Sequence, residues 1–419
     1  MFNYPIAISL SPNTDDDDIR QAVKILFQPW CWKKGREIDR VEKWFCDYFG
    51  VPEAVSFNSG RSALFALLKA FEIGKDDEVL IQAFTCVAVV EPILWTGGRP
   101  VFVDIDEGFN LDYRLIEQKI TRKTRAIIVQ NTFGTPANID KITKIVQKHN
   151  LILIEDCAHS LGGEFKGGKL GSFGDAAFFS FGRDKVISSV FGGMAIINLK
   201  FNPPAGGQNQ KLREIQKNLE YPSYFWILQQ LLHPIAFACI LPLYNLILGK
   251  IILFLLMKAR ILSKPVYKEE LIGEKPKTFP FKYPNALASL LIRQLDKLKN
   301  YNDKRNQIAD YYYKYLEKKK SIILPPYVNG SIFLRFNILI NNANKVFAKA
   351  KKNKVVLGNW YHNVIDPEGV ELEKIGYIPG RCPKAESYAK RSVNLPTYPR
   401  LNEDNINQVV KLINKYATD

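Results

Sequence analysis

The sequence predicts an α/β protein with a large domain on a mostly parallel sheet, followed by a smaller α+β domain at the C-terminal end. Three observations carry this. From Ala54 to Asp156 short β-rich runs alternate with amphipathic helical runs across short connections, the pattern of parallel strands joined by crossover helices. Several of these runs, such as LILIE, are continuously apolar, as strands covered on both faces are. The chain has 419 residues and 47% hydrophobic content, enough for a sizeable core and more than one domain.

In order, the pattern from Asp17 to Phe49 is helical and is broken near Pro29 to Gly35. AVSF from Ala54 precedes the helical SGRSALFALLKAF, and EVLIQAF from Glu78 precedes TCVAVVEPILWTG. PVFVDID from Pro100 precedes LDYRLIEQKI, RAIIVQNTF from Arg125 precedes IDKITKIVQKH, and LILIED closes the series at Asp156. The strands FFSF and GMAIINL then follow with no long helix between them, so a local change of topology is expected there. Apolar residues recur at helical spacing from Phe281 to Lys320. SIFLRFNILI reads as a strand, NKVFAKAKKNK as a basic amphipathic helix before VVLGNW, and LNEDNINQVVKLINKY as a closing helix capped by Asn402. The expected division is an N-terminal arm with the large domain over 1–205, an apolar helical insertion over 206–275 and the small domain over 276–419.

The insertion has an unusual composition. No charged side chain occurs from Pro222 to Gly249 if His233 is neutral, and IILFLLM follows Lys250. That length reaches the range of a membrane span. Pro234 and Pro242 are expected to break any single helix, and a full span would put the two domains on opposite sides of a bilayer. An interfacial helical hairpin over 222–262 is therefore expected, with Lys250, Lys258, Arg260 and Lys264 near headgroups. The plainer alternative is a buried insertion covered by a dimer partner. The formal net charge of +16 favours anionic partners. No stripe of arginine and aromatic residues suits nucleic acid, and the runs at Lys318 to Lys320 and Lys351 to Lys354 read as solvated helix faces. The six cysteines are scattered without a CxxC pair and the chain has four histidines, which argues for reduced, cytoplasmic usage and against a zinc site. The first residues lack the basic and apolar regions of a cleavable signal.

The residues that carry chemistry lie at strand ends. Ser59-Gly60-Arg61 stands where a strand gives way to a helix, so unpaired amides and a positive dipole end suit a phosphate there. Asp156 ends a buried strand at the sheet edge where α/β folds bind ligands. His159 follows one turn later. Ser180 ends the next strand, and Lys185 comes five residues after it. Each has an ordinary explanation alone: a helix cap, a packed histidine, a solvated lysine. Together a buried carboxylate and a buried amine suit pyridoxal 5'-phosphate, with the lysine as Schiff-base partner and the aspartate on the pyridine nitrogen. Ser180 is placed to donate to the phosphate.

The ordered stretches SGRSAL, DEVLIQAFTCVA, GGRPVFVDID, FGTPANID, LILIEDCAHSLGG, GSFGDAAFFSF followed by Lys185, and SVNLPTYPRL resemble the DegT/DnrJ/EryC1/StrS aminotransferases, from about Ile19 to the C-terminus apart from the apolar insertion. The resemblance implies a pyridoxal phosphate-dependent transferase of fold type I. It implies Lys185 as the Schiff-base lysine, Asp156 on the ring nitrogen and His159 near the cofactor's phenolic oxygen. Ser180 and the amides of Gly60 and Arg61 would hold the phosphate. It further implies a homodimer with sites at the subunit interface, and transfer of an amino group from glutamate to a keto sugar nucleotide in polysaccharide biosynthesis.

Four departures stand out. Cys86 occupies the place of an aromatic residue that stacks on the cofactor. Arg61 replaces the family's threonine and could bring a side-chain charge to the phosphate or substrate. Asp184 precedes the lysine, and Phe281 to Pro284 replace a motif that reaches the neighbouring subunit, with Lys282 a possible substitute. Two other functions are compatible with the residues: dehydration or amination of a lipid-linked sugar, and a non-catalytic cofactor-binding regulator. The expected location is the cytoplasm, peripheral on the inner face of the membrane.

Overall fold

The computed structural model describes residues 4–10, 13–198, 200, 207–316 and 319–417. The expected domain boundary at 205/206 and Lys318 lie outside them. The large domain is built on seven strands: β1 Ala54–Phe57, β2 Glu78–Gln82, β3 Arg99–Val103, β4 Thr124–Gln130, β5 Ile152–Asp156, β6 Ala176–Ser180 and β7 Gly193–Ile197. Their order across the sheet is β1-β7-β6-β5-β4-β2-β3. Neighbours from β6 to β3 run parallel, and β7 is antiparallel to both β6 and β1. This is the change of topology expected after FFSF. Leu80, Ile127, Leu153 and Ala177 on one face and Val79, Ile128, Ile154 and Phe178 on the other belong to two separate buried clusters, so both faces are covered.

Helices follow the strands as the patterning predicts. They are α1 Asp16–Leu26, α2 Arg36–Phe49, α3 Gly60–Ala70, α4 Val87–Thr96 and α5 Ile139–His149. LDYRLIEQKI departs from expectation and forms only two 3-10 turns, Tyr113–Leu115 and Glu117–Lys119. Its buried apolar residues, Leu111 and Ile116, are five apart. One regular helix cannot put that spacing on one face. The Asp112 carboxylate also accepts from the Arg114 amide at 3.0 Å, which favours a turn.

Next come α6 Gln208–Asn218, α7 Tyr224–Leu243, α8 Leu248–Lys258 and the long α9 Asn285–Tyr315. Helix α7 corrects an expectation, because it runs unbroken past Pro234 and contains Pro242 in its last turn. Each proline removes one backbone bond. Burial of Trp226, Ile227, Leu231, Phe237, Ile240 and Leu241 outweighs that loss. Trp226, Ile227 and Leu231 belong to the large-domain core, and α7 packs on α1 and α9. Its first half is therefore a core helix. The chain turns only at Tyr244–Leu246 and Ile247, whose φ is +67°, before α8 begins.

Helix α9 joins the two domains. Leu287, Leu291, Leu295 and Leu298 pack in the large-domain core, whereas Ile308, Ala309 and Tyr312 pack in the small one. The small domain has an antiparallel sheet ordered Ile322–Ile323, Phe336–Ile340, Ser392–Leu395, with α10 Ala343–Lys352, α11 Pro383–Arg391 and α12 Glu403–Tyr416. The Asn402 side chain accepts from the Asn405 amide at 2.8 Å, the cap expected from sequence. Two short parallel pairings tie the domains: Ile6–Ala7 with Val355–Val356, and Thr85–Cys86 with Ile365–Asp366. The second brings residues 358–366 over the C-terminal edge of the large sheet.

Leu153 lies at the centre of β5 with no solvent exposure. Leu153→Ala is expected to lower the free energy of unfolding by about 2–5 kcal/mol. Urea denaturation checks this, and an unchanged midpoint would contradict the packing described.

Candidate functional site

The sheet's topology builds the site. Strands β1, β5 and β6 end on one edge, and β7 begins there. Asp156 pairs in register with Gln130 and Phe178, while Gly193 pairs with both Ser180 and Phe57. The strand ends thus bring Ser59-Gly60, Ser180 and Asp156 together. The approach is close. A Cβ on Gly193 would lie 2.3 Å from the Ser59 carbonyl oxygen, and one on Gly60 would lie 2.9 Å from Ser180 Cβ. Side chains at these two positions would push the start of α3 off the strand ends.

Ser59 caps α3, its Oγ accepting from the Ser62 amide at 3.2 Å, and the Ala63 amide bonds the Ser59 carbonyl at 3.1 Å. The amides of Gly60 and Arg61, first in the helix, have no carbonyl a turn earlier and are available to an anion. The Arg61 side chain takes a different direction from the one expected. It pairs with Glu270, donates to the Pro265 carbonyl at 3.0 Å and lies 4.7 Å over the Phe279 ring. Its charge is compensated there, so Arg61 offers its backbone amide to a phosphate.

Lys185 lies in the loop between β6 and β7, and the loop is pinned from several sides. The Asn13 side chain donates to the Lys185 carbonyl at 2.6 Å. Arg305, fully buried in α9, donates to the Val186 carbonyl at 2.6 Å and to Asn13 Oδ1 at 3.1 Å. Arg183 donates to the Ser263 carbonyl at 2.8 Å and to its hydroxyl at 2.6 Å. Ser189 and the Tyr283 hydroxyl are hydrogen-bonded at 2.7 Å. Burial lowers the pKa of Lys185, with Arg335 acting in the same direction and Cys86, Asp156 and Asp184 against it. A lysine in this state keeps more of its amine unprotonated than one in water.

Asp156 is 2% exposed. Burial pushes its pKa up to about 6, against the Ala158 amide, which donates to Oδ1 at 2.9 Å, and the Lys185 charge. A cation brought against this carboxylate would regain the stabilisation that burial removes. Burial, with help from Lys185 and Arg335, holds His159 far below the ordinary imidazole range, so its ring is neutral. Its Nδ1 accepts from the Phe133 amide at 3.3 Å, which leaves the proton on Nε2. The ring lies nearly parallel to Phe133, 6.0 Å away at 4°, and to Trp360, 5.6 Å away at 16°.

Gly60, Arg61, Cys86, Asp156, His159, Ser180 and Lys185 all line one cavity of about 350 Å³. Burial raises the Cys86 thiol, so it faces the cavity uncharged. Residues 281–284 are not among the lining residues, and Lys282 instead donates to the Lys217 carbonyl at 2.8 Å. Sequence reasoning missed Trp360, which lines the same cavity with its ring centre 4.9 Å from Lys185 Nζ and Arg335 stacked on it at 3.6 Å. Arg335 in turn pairs with Asp184, beside the lysine, at 3.9 Å. The adjacent Trp360-Tyr361 in a loop was the available signal. His233 and Phe237 of α7, with Pro265 and Val266, complete the wall, so the apolar insertion is part of the site.

The donor set fits pyridoxal phosphate. A buried carboxylate suits the ring nitrogen, a lysine suits the aldehyde, and a helix start beside a serine suits the phosphate. A family model described as the DegT/DnrJ/EryC1/StrS aminotransferase family matches residues 12–200 and 257–414. An uncharacterized protein of Methanocaldococcus jannaschii is 29% identical over 421 aligned positions, covering 97% of each chain. The UDP-N-acetyl-3-dehydro-alpha-D-glucosamine 3-aminotransferase of Acidithiobacillus ferrooxidans is 28% identical, covering 87% of this chain and 85% of its own. Among solved structures, the Helicobacter pylori aminotransferase PseC, involved in the biosynthesis of pseudoaminic acid, superposes with a TM-score of 0.74 at 20% identity. It covers 99% of this chain and 98% of that one.

Because the folded-state pKa of Asp156 is raised, the folded cofactor-free protein binds more protons than the unfolded chain between about pH 4 and 6. Its stability falls as pH rises through that window. Cofactor-free Asp156→Asn should therefore be more stable than the parent at pH 7.5, by up to roughly 3 kcal/mol, and equal to it near pH 3.5. Urea titrations at the two pH values measure this, and no gain at pH 7.5 would contradict it. Gly60→Ala should weaken pyridoxal phosphate binding at least tenfold, as read by equilibrium dialysis, and should also lower the thermal midpoint, because its Cβ would lie 2.9 Å from Ser180 Cβ.

Proposed function

The chain belongs to the DegT/DnrJ/EryC1/StrS aminotransferase family, and we infer that it transfers an amino group, with glutamate as donor, to a keto sugar carried on a nucleotide. It is a pyridoxal phosphate-dependent transaminase. The observation that carries the transaminase reading is the meeting of Lys185, Asp156 and the start of α3 in one buried cavity. When bound, the cofactor supplies an electron sink for the carbon that exchanges its nitrogen.

In this reading the residues divide the work. The amides of Gly60 and Arg61, with Ser180, hold the phosphate. Asp156 holds the ring nitrogen protonated, and its desolvation strengthens that ion pair. His159, neutral with its proton on Nε2, donates towards the cofactor's phenolic oxygen. Lys185 would hold the cofactor's aldehyde carbon, and its amine when free would take a proton from the reacting carbon and return one, as general base and acid. The lowered pKa fits that double task. Trp360 and Cys86 bound the two sides of the reacting group and exclude water.

The nucleotide as carrier is supported by the relative that acts on a UDP sugar and by the net charge of +16. The proposed assembly is a homodimer, and the proposed location is the cytoplasm with residues 222–262 available to the inner face of the membrane. A second reading, a keto sugar on a lipid diphosphate, is favoured by one observation. A cleft lined by Lys250, Phe254 and Lys351 shares Ser9 and Trp360 with the lysine's cavity.

Purified protein should lose its cofactor absorbance band on addition of glutamate and recover it with a keto sugar. Lys185→Ala should lower turnover at least a thousandfold. A Lys185→Ala protein that still consumed donor would overturn the assignment. Parallel assays with nucleotide-linked and prenyl diphosphate-linked keto sugars separate the two carriers.

A further inference from the structure

Helix α8 is apolar and yet uncovered. Only Gly249 of its eleven residues is buried. Leu248, Ile251 and Leu255 form an exposed stripe at helical spacing, flanked by Phe254 at 64% exposure and by Leu246 at 70% in the preceding turn. The opposite side is seated. Leu253, Leu256 and Met257 pack on a small cluster formed by Phe237 and Leu241 of α7 with Ala7, Leu10 and Leu262. The crossing of the two helices is tight, because a Cβ on Gly249 would lie 2.5 Å from the Ile240 carbonyl. Gly249 therefore holds α8 in one pose against α7, with its apolar stripe outward.

The charges carried by this segment itself have one sign, while Asp366 and Glu368 lie across the cleft from Lys250 and Phe254. Lys250, Lys258, Arg260 and Lys264 are exposed, and no aspartate or glutamate occurs from Tyr221 to Lys268. The family model passes over residues 201–256, so these apolar residues lie outside the shared aminotransferase pattern. The long helix α7 meets the length and composition of a membrane span, but half of its most apolar stretch is buried within the protein. With α1 and α9 packed on it, most of α7 stays in the protein core, and among the described residues of the insertion the longest exposed apolar run is at the α8 turn.

We propose that residues 244–264 form an interfacial anchor that seats in the surface of an anionic bilayer, with the α8 stripe among the acyl chains and the four cations at the phosphates. The partner's chemistry follows from the pairing of an apolar stripe with four cations on a segment that carries no acidic residue. The cleft containing Lys250, Phe254 and Trp360 opens beside this face. Docking therefore sets the mouth of the active site at headgroup level. This sharpens the membrane position proposed for the chain and is independent of which sugar is aminated.

Flotation of the full-length holoprotein with vesicles tests the anchor. Vesicles of phosphatidylcholine with 30% phosphatidylglycerol (roughly the charge of an anionic leaflet) are compared with phosphatidylcholine alone. The protein should float with the anionic vesicles. Ile251→Asp/Leu255→Asp, both on the exposed stripe, should reduce binding at least tenfold while leaving the cofactor absorbance and its response to glutamate unchanged. Lys250→Gln/Lys258→Gln/Arg260→Gln should reduce binding to anionic vesicles to the level seen with phosphatidylcholine. Failure of the parent protein to float would overturn the proposal. So would a parent that ignores vesicles but changes oligomeric state with the aspartate pair, since the face would then be covered by a second copy. Loss of the glutamate response in the parent would instead count against the aminotransferase reading and leave the flotation result standing.

Discussion

Two ionisable side chains kept from water at one sheet edge govern the arrangement of this protein. Burial works against the charged forms of both Asp156 and Lys185. Each would be more stable as an ion in solvent, so the surrounding structure has to hold them in place. Asn13 and Arg305 bind the backbone of the lysine loop, and the loop's own Arg183 bonds Ser263 of the segment after α8. Trp360 closes over the amine from the small domain. The destabilisation is local and is useful, because a desolvated carboxylate favours a cationic ring nitrogen and a desolvated lysine keeps its amine.

The same edge explains the glycines. An anion cradle needs backbone close to the ligand, and the ligand must also reach the lysine. Gly193 lets β7 run against the Ser59 carbonyl, and Gly60 lets α3 start against Ser180. The proposed phosphate and ring-nitrogen positions are thus set by strand register, which is among the stiffest features of a fold covered on both faces. The substrate side has different material. It is walled by α7 and by residues 265 and 266, parts of the insertion or beside it, and by the loop carrying Trp360. The cofactor side rests on the shared sheet, and the substrate side on what is particular to this chain.

The insertion joins two properties in one helical pair. Its first half is core, with Trp226 and Leu231 packed among large-domain residues, and its last turns are exposed and apolar. A single composition produced both, since the hydrophobic effect does not say which apolar surface another element will cover. The Arg61–Glu270 pair and the Arg183–Ser263 bonds then tie the segment after α8 to the phosphate turn and to the lysine loop. Any shift of the insertion is felt at both ends of the site.

Much of the site was legible in the residues because its parts are local. A strand end, a Gly-containing helix start and a lysine after a buried strand each leave a mark within about ten residues, and their order along the chain did the rest. Alternation of apolar runs and amphipathic segments likewise determined the α/β class, and the missing helix after FFSF marked a change of topology whose antiparallel direction the structure supplied. What needed the tertiary structure is long-range. Trp360 reaches Lys185 on a loop held by Asn394 and by the pairing of Ile365–Asp366 with Thr85–Cys86. Arg61 turns from the phosphate because Glu270, more than two hundred residues later, competes for it. Pro234 stays inside a helix because buried packing outweighs one lost hydrogen bond. Local sequence specifies conformation and chemistry. Which groups meet, and which apolar faces remain open, depends on contacts between segments far apart in the chain, and these exist only once the chain has folded.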